Sequence, residues 1–480
     1  MACLSTLPDE VLKLVMQRVS LKDRLASCCL VNKRLHAAAV AATQQLVLHD
    51  THWRPGMEWL SQYGQQITNL HLSGSQETAR MLTCPNLRDL VLSSADDCSS
   101  DLSVQLGPAA DGQPGILQDC TKLTRLKLSC NVIDAPAGVE VDSLSGLVLL
   151  KELHVEPANS NTVVLSQRTL PSLTRLTHLC MALAAENLTQ LGLLTNLEQL
   201  SLYEGDSNHT ATGPSSMPDL VFPASLTQLS LCCSVEAGVI SLVPDTLESL
   251  EMGGAVEGPT DGPGSLMACL SRLQQLTYLY LDLEDGMSWP PPGPAYSALT
   301  ASSDLVYLQL INPPAGVWSY VFPEGHKLPQ LDLFGTKALT LDQVFEIDAS
   351  SAWGAADLRS LVSCCPNLFE FLEDPLHLLH GSHVSVLHKL TCLTNLSLMY
   401  GAGDLASCQV SMKGLAAVTQ LQSLSVDLRG TDSMTVATLL PLTSLKALTS
   451  LRCDLGAGLN NAESEASLCY KQQVKKPTQT

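Results

Sequence analysis

The residues of this chain that could most readily do chemistry are histidines spaced three apart. They are His377, His380, His383 and the nearby His388, with Asp374 just before them. Neutral imidazoles one helical turn apart could ligate zinc if a helix ran through this segment. The Gly381-Ser382 pair would interrupt that helix between the second and third histidines, so the ligands would not converge. We therefore expect a solvated turn here and no metal site.

The motifs of common catalytic sites are missing from the sequence. It contains no G-x-x-x-x-G-K-[ST] phosphate loop, no H-E-x-x-H zinc motif and no G-x-S-x-G nucleophile turn. The glycine-rich run 258–264 lacks the lysine that a phosphate cradle needs. The sequence thus predicts a protein that works by binding, without catalysis and without a cofactor.

Composition narrows the possible partners and the compartment. Lys and Arg number 27 against 47 Asp and Glu, a formal net charge of −20. This charge disfavours nucleic acid and anionic membranes and favours a basic surface on a protein partner. The 17 cysteines include no C-x-x-C pair, and no apolar run reaches the ~18 residues of a membrane span. We expect a reducing compartment, the cytoplasm, the nucleus or both.

The elements that position any binding residues are set by a recurring hexad, L-x-x-L-x-L. Its copies lie mostly about 20 to 29 residues apart, which is the period of leucine-rich repeats. They begin at Ile67, Leu87, Leu123, Leu150, Leu176, Leu197, Leu226, Leu247, Leu276, Leu305, Leu328, Leu368, Leu393, Leu421 and Leu448. In each copy the final L-x-L would alternate across a short strand, with the leucines inward and the middle residue outward.

This pattern resembles leucine-rich-repeat proteins over nearly the whole stretch from Leu46 to about Leu455. The resemblance implies an α/β solenoid in the form of a horseshoe, with short parallel strands on its concave face. Cys84-Pro85-Asn86-Leu87 and Cys364-Cys365-Pro366-Asn367-Leu368 resemble the cysteine-containing subtype. Free cysteines there would pack as small apolar side chains under the convex side.

The first forty residues predict a separate helical module. Leu7-Pro8 favours an extended entry into a helix, and Asp9-Glu10 places negative charge at the helix N-terminus. Apolar residues at spacings of three to four then share one face; they are Val11, Leu12, Val15 and Val19. Because so short a module cannot bury this surface alone, a partner or the following domain must cover it.

This segment resembles an F-box, the module that docks substrate receptors onto the Skp1 adaptor of cullin-RING ubiquitin ligases. The resemblance implies a non-catalytic substrate-recognition subunit of an SCF-type E3 ligase, linked through Skp1 to a cullin. The adaptor-facing residues it implies are Leu7, Pro8, Val11, Leu12, Val15, Leu25, Leu30, Val31 and Arg34. Many F-boxes carry tryptophan where Leu35 stands. Leucine at this position would weaken the contact with the adaptor. The alternative is a leucine-rich-repeat scaffold whose N-terminal helices only cap the solenoid.

A substrate would be recognised at outward strand positions, and aromatic residues there are the clearest signal. Aromatic residues make up only 4% of the chain, yet Tyr278, Tyr280 and Tyr307 occupy outward positions of two adjacent strands. Tyrosine is common at binding hot spots, and Glu248 and Glu251 beside them would select a basic segment. The tyrosines could equally stack on one another as cross-strand pairs.

These patterns together predict three domains. They are an F-box at 1–45, about 15 repeats at 46–458 and a polar, disordered tail at 459–480. Loops rich in glycine, proline or acidic residues lengthen some repeats, at 96–115, 205–218, 253–264 and 288–294. Such insertions either bind a partner or are simply tolerated at the surface.

Overall fold

A computed structural model of the 480-residue chain gives its architecture over most of the repeats. The residues it describes are 8–19, 33–48, 53–74, 84–94, 103–104, 106, 116–129, 131–132, 144–156, 169–182, 190–203, 221–254, 256–259, 262, 264–283, 289–311, 313–314, 317–322, 332–334, 355–364, 370–372, 384–399, 405–428 and 439–455. The chain divides into two compact units, Met1–Leu226 (the first unit) and Thr227–Thr480 (the second unit). The predicted tail at 459–480 lies outside the described residues.

Short helices precede the strands of both units. In the first unit they are α1 (Asp9–Gln17), α2 (Lys33–Ala42), α3 (Trp53–Tyr63) and α4 (Thr169–Ser172). In the second unit they are α5 (Ala237–Ile240), α6 (Leu266–Leu270), α7 (Trp318–Val321), α8 (Ala355–Cys364) and α9 (Leu405–Leu415). Turns of 3₁₀ helix occupy Gly64–Gln66, Leu191–Leu193, Pro294–Thr300, Ser385–Lys389 and Leu440–Ser444. None of the helices in the described ranges is long and apolar enough to cross a membrane.

The first unit contains a sheet of parallel strands in which each strand pairs with the next repeat's strand. Its members in order are β1 (Gln45–Leu48), β2 (Asn69–Gly74), β3 (Asp89–Ser94), β5 (Arg125–Ser129), β7 (Glu152–Glu156), β8 (His178–Ala182) and β9 (Gln199–Tyr203). A separate two-residue bridge joins β4 (Ser103–Val104) to β6 (Asn131–Val132). Strict parallel pairing of successive repeats is the geometry that the hexad spacing predicts.

The second unit repeats this arrangement. Its main strands are β10 (Gln228–Cys232), β12 (Ser249–Gly253), β14 (Tyr278–Asp282), β15 (Tyr307–Ile311), β16 (Asp332–Phe334), β17 (Glu370–Leu372), β18 (Asn395–Met399), β19 (Ser423–Leu428) and β20 (Ser450–Leu455). A small bridge joins β11 (Val235–Glu236) to β13 (Val256–Glu257). Even the degenerate copy at Leu368 forms a strand, so the α/β solenoid is confirmed.

The hexad leucines form the core in both units. In β5, Leu126 and Leu128 are fully buried, while Arg125 at the start of the strand is exposed. In β10, Leu229 and Leu231 are 2% and 1% exposed, whereas Gln228 lies on the surface. One side of the strands therefore faces a leucine core, and the other side, called the outer face below, carries the variable residues.

A threonine at the second hexad position links successive repeats. The carbonyl oxygen of Arg88 accepts the backbone N–H groups of Thr124 and Arg125 at 2.8 and 2.9 Å. The Thr124 hydroxyl donates to the same oxygen at 2.9 Å. Thr177 repeats this bond to Lys151 at 3.1 Å. At these two strand entries one carbonyl oxygen thus accepts three donors, which anchors the backbone of the accepting residue.

Three cysteines in the described part of the repeats are fully buried. Cys84, Cys120 and Cys364 are fully buried thiols outside any disulfide. Burial raises the pKa of Cys84 to about 11 and that of Cys120 to about 12. A neutral, inert thiol in an apolar site acts as a small packing residue, as the sequence predicts.

Candidate functional site

The N-terminal module begins with a helix that proline introduces. Pro8 caps α1 with an extended backbone at φ −56° and ψ 150°. Its carbonyl oxygen accepts the Leu12 N–H at 2.9 Å and so closes the first helical turn. The predicted helix start at Asp9 is therefore present. Proline suits the position before it, because its ring fixes φ near the observed value and it has no N–H group that would need a partner at a helix start.

Helices α1 and α2 pack together through one face of each. Leu12 and Met16, 0% and 2% exposed, contact Leu35 and Ala39 of α2, with Val19 packed at the edge. Leu12 thus holds the two helices together, and its side chain is not available to a partner in this structure. Leu12 was predicted to face the adaptor, and the structure instead packs its side chain against α2.

The opposite face of α1 carries exposed apolar side chains. Val11 is 41% exposed and Leu14 is 62% exposed, while Val15 is half-buried between the two faces. Large apolar side chains gain nothing from water, so adjacent ones on one helix indicate a contact surface. Leu14 was missed by the sequence interpretation because it falls outside the spacing of the buried stripe.

Of the other residues predicted to face the adaptor, the structure places only the side chain of Pro8. Leu7, Leu25, Leu30 and Val31 lie outside the described residues. Arg34 belongs to α2, but only its backbone is described. Pro8 is exposed at the start of α1. These positions remain predictions.

The module is tied directly to the repeats. Only Thr43 and Gln44 separate α2 from β1, and the Thr43 hydroxyl donates to the Ala39 carbonyl at 2.8 Å. Between α2 and α3, His36 Nε2 lies 3.0 Å from the Tyr63 hydroxyl. The helical module and the first strands therefore belong to one compact unit.

Comparison with known families decides the nature of this module. The family model of the F-box domain matches residues 4–40, which span α1 and most of α2. The chain carries an F-box domain ahead of leucine-rich repeats. The F-box part of the resemblance is thereby confirmed, and the repeats are shown by the parallel strand order and the leucine core described above.

Comparisons over the whole chain are less informative. No curated protein sequence matches this chain. Among solved structures, one that is similar is described as the circular leucine-rich-repeat protein CroV588. The two share 14% sequence identity with a TM-score of 0.28, and the match covers 81% of this chain and 63% of that one. This chain thus spans less than two thirds of the length of that protein.

The second candidate surface is the aromatic part of the second unit's outer face. Tyr278 of β14 is in register with Tyr307 of β15, and their rings stack with centroids 4.3 Å apart at 8°. The Tyr307 hydroxyl donates to Gln309, which is 7% exposed. The cross-strand stacking considered from the sequence is therefore present for this pair. It leaves the tyrosines half-buried, with part of each side chain facing solvent.

Acidic side chains surround the third tyrosine. Tyr280 is in register with Glu251 of β12, and its hydroxyl lies 3.4 Å from Asp282 Oδ2. Burial and then the Asp282 carboxylate raise the pKa of Tyr280 to about 12. The predicted partner Glu248 is exposed at the entry of β12. The structure thus places Tyr280, Glu251 and Asp282 together, with Glu248 at the strand entry.

The first unit carries a groove that the sequence interpretation did not identify. It lies where β2, β3, β5 and β7 begin, has a volume of about 480 Å³ and is called the strand-entry groove below. Its charged lining residues are Arg88, Asp89, Arg125, Lys151 and Glu152. Their convergence depends on the parallel pairing of repeats whose spacing along the chain varies.

An ion-pair network crosses the floor of this groove. Arg125 Nε lies 3.0 Å from Glu152 Oε2, and a terminal nitrogen of Arg125 lies 3.8 Å from Asp89 Oδ2. Asn69 Nδ2 donates to the same Asp89 oxygen at 3.3 Å. Within the part of the chain that the structure describes, the other oxygen, Asp89 Oδ1, is buried without a hydrogen-bond partner.

The histidine cluster singled out in the sequence is largely outside the described residues. His377, His380, His383 and Asp374 cannot be placed. His388 lies exposed in the 3₁₀ turn Ser385–Lys389. Among the residues that are described, no group of three or more His, Cys, Asp or Glu side chains could hold a metal ion.

Proposed function

We propose that this protein is the substrate-recognition subunit of an SCF-type E3 ubiquitin ligase. The observation that carries the proposal is the F-box domain at residues 4–40, which implies binding to a Skp1-like adaptor. F-box and leucine-rich-repeat families are typically non-catalytic adaptors. On this proposal the chain holds a substrate near the ligase subunits and supplies proximity, while the chemistry occurs elsewhere in the complex.

The adaptor contact is proposed to centre on the exposed face of α1. Val11 and Leu14 offer the apolar surface, with Pro8 at the helix start and Val15 at the margin. Leu7, Leu25, Leu30, Val31 and Arg34 complete the proposed contact. Leu12 contributes indirectly, because its packing against α2 fixes the orientation of the exposed face.

The test is co-purification of the full chain with Skp1. Replacing Val11 and Leu14 by glutamate puts charge on the proposed contact without touching the core, so Skp1 should be lost. The matched control replaces Val410 and Leu440 of the second unit by glutamate; their side chains are 45% and 57% exposed. This control should retain Skp1. Retention by the Val11 and Leu14 variant would contradict the proposed contact.

The substrate is proposed to bind the outer face of β12, β14 and β15. Tyr278, Tyr280 and Tyr307 are the anchors, and Glu248 and Glu251 select a basic segment. Support comes from the stacked tyrosine pair, which offers a broad ring surface, and from the carboxylates beside Tyr280. Cations are attracted both to tyrosine faces and to carboxylates.

Proximity labelling with a Tyr278, Tyr280 and Tyr307 triple alanine variant tests this surface. The variant should keep Skp1 and lose the proteins that the wild type labels. Recovery of the same proteins at the same level would rule out the tyrosine site. It would instead favour the inserted loops at 96–115 and 288–294.

The continuity of the F-box with the repeats favours one other function. Since α2 leads directly into β1, the helices could serve only as a cap on a leucine-rich-repeat scaffold. Failure of the wild-type chain to bind Skp1 would select this alternative.

A further inference from the structure

Three cations and two carboxylates line the strand-entry groove of the first unit, which leaves one net positive charge there. Asp89 and Glu152 both lie beside Arg125. Arg88 and Lys151 are exposed at the groove, and among the described residues neither makes an ion pair. The groove therefore presents local positive charge on a chain whose formal net charge is −20.

The backbone fixes where these two cations stand. Arg88 and Lys151 occupy the same position, immediately before β3 and β7, and Thr124 holds that position in the repeat between them. Parallel strands lie about 4.8 Å apart, so the two cations start about 10 Å apart. Their carbonyl oxygens are each held by the next repeat's threonine and backbone, at 2.9 and 3.1 Å from the threonine hydroxyls. The side chains thus extend from an anchored backbone.

We propose that the strand-entry groove binds an extended acidic segment, rich in aspartate or glutamate, of a partner protein. Carboxylates on one side of an extended peptide recur about every 7 Å, which long Arg and Lys side chains can bridge. An extended peptide with carboxylates along one side can therefore meet both cations with successive side chains.

This inference goes beyond the adaptor and substrate surfaces proposed above and does not depend on either. The tyrosine surface of the second unit would select positive charge, and the strand-entry groove selects negative charge. The two surfaces consist of different residues, so substitutions can abolish binding at one without altering the other.

The test measures binding of the full chain to a fluorescein-labelled peptide of alternating glutamate and serine by fluorescence anisotropy. A peptide of alternating glutamine and serine is the uncharged comparison. The acidic peptide should bind more tightly, and its affinity should fall between about 0.05 M and about 0.5 M salt because these charges are exposed. Equal binding of the two peptides at the lower salt concentration would overturn the proposal.

Charge reversal locates the site. The Arg88→Glu, Lys151→Glu double variant should bind the acidic peptide roughly tenfold more weakly or worse. The control, Lys389→Glu with Lys413→Glu, makes the same change in net charge at exposed lysines of the second unit and should change affinity less than about twofold. Equal losses in both variants would show that only net charge matters. Should the first variant fail to fold, the Arg88→Gln, Lys151→Gln variant makes the same comparison.

Discussion

The first and second units use one backbone plan to present opposite charge. In the first unit, the positions at and before the strands carry Arg88, Arg125 and Lys151 around a groove. In the second unit, the corresponding part of the sheet carries Glu248 and Glu251 beside stacked tyrosines. Since the inward residues supply the core of the repeats, the outward residues can differ between repeats. A solenoid can therefore present different binding chemistry along its length at no cost to its core.

The largest expected effect concerns what the units share. Replacing Leu126 or Leu229 by alanine should lower the free energy of unfolding by about 2–5 kcal/mol, because each leucine is buried and leaves a cavity. Gln228→Ala, on the surface of β10, should change it by about 0.5 kcal/mol or less. Denaturant unfolding checks both. Equal losses at Leu229 and Gln228 would show that the strand register is wrong.

A backbone constraint specific to the second unit has the next largest effect. Gly254, after β12, has φ +136°, and a Cβ there would lie 3.0 Å from the Cys233 carbonyl carbon and oxygen. Gly254→Ala should destabilise the chain by about 1–3 kcal/mol. Gly238→Ala is the control, since a Cβ at this helical position meets nothing within 4 Å, and it should be neutral or stabilising. Thermal unfolding that ranks Gly238→Ala as the more harmful change would refute this account.

In the first unit, the ion-pair network should affect peptide affinity more than it affects stability. Arg125→Gln leaves Asp89 and Glu152 without their shared cation, so the acidic peptide should bind about fivefold more weakly. Stability should change by only about 0–1 kcal/mol, because Arg125 is 51% exposed and exposed ion pairs contribute little. Anisotropy and thermal unfolding of the same variant provide the two values. A large loss of stability with unchanged peptide affinity would reverse the role assigned to Arg125.

The smallest effect concerns the kind of cation that the tyrosine surface prefers. A planar guanidinium stacks on an aromatic ring and meets carboxylates in a fork, which an ammonium cannot do. An arginine-serine peptide should therefore bind the full chain about two- to fivefold more tightly than a lysine-serine peptide. Identical affinities would leave the carboxylates, without the rings, as the source of selection.

Much of the fold can be predicted from the sequence, because the hexad of each repeat indicates where its strand lies and which leucines are buried. The hexads predict the parallel strands and the buried leucines, and Cys84-Pro85-Asn86-Leu87 predicts a buried thiol. The F-box segment is recognisable because its proline and apolar spacing define a local helix. These features depend on neighbouring residues in the chain, so a pattern is sufficient to find them.

The binding surfaces were harder to predict because they depend on which residues become neighbours. Periodicity grouped Leu12 with Val11, although the position of α2 buries the first and leaves the second exposed. Leu14 lies outside the spacing of the buried stripe, so periodicity did not single it out. The strand-entry groove requires Asp89, Arg125 and Glu152 to meet across repeats of unequal length, and only the strand register shows that they do.

The contrast between the two units is tested most directly by a crossed titration. The full-length wild type, the Arg88→Glu, Lys151→Glu variant and the Tyr278, Tyr280 and Tyr307 triple alanine variant are each titrated with the glutamate-serine and the arginine-serine peptide. We expect the groove variant to lose only the acidic peptide and the tyrosine variant to lose only the basic one, each by roughly tenfold. If each variant weakens both peptides equally, the two units do not carry separate surfaces of opposite charge preference, and the account is contradicted.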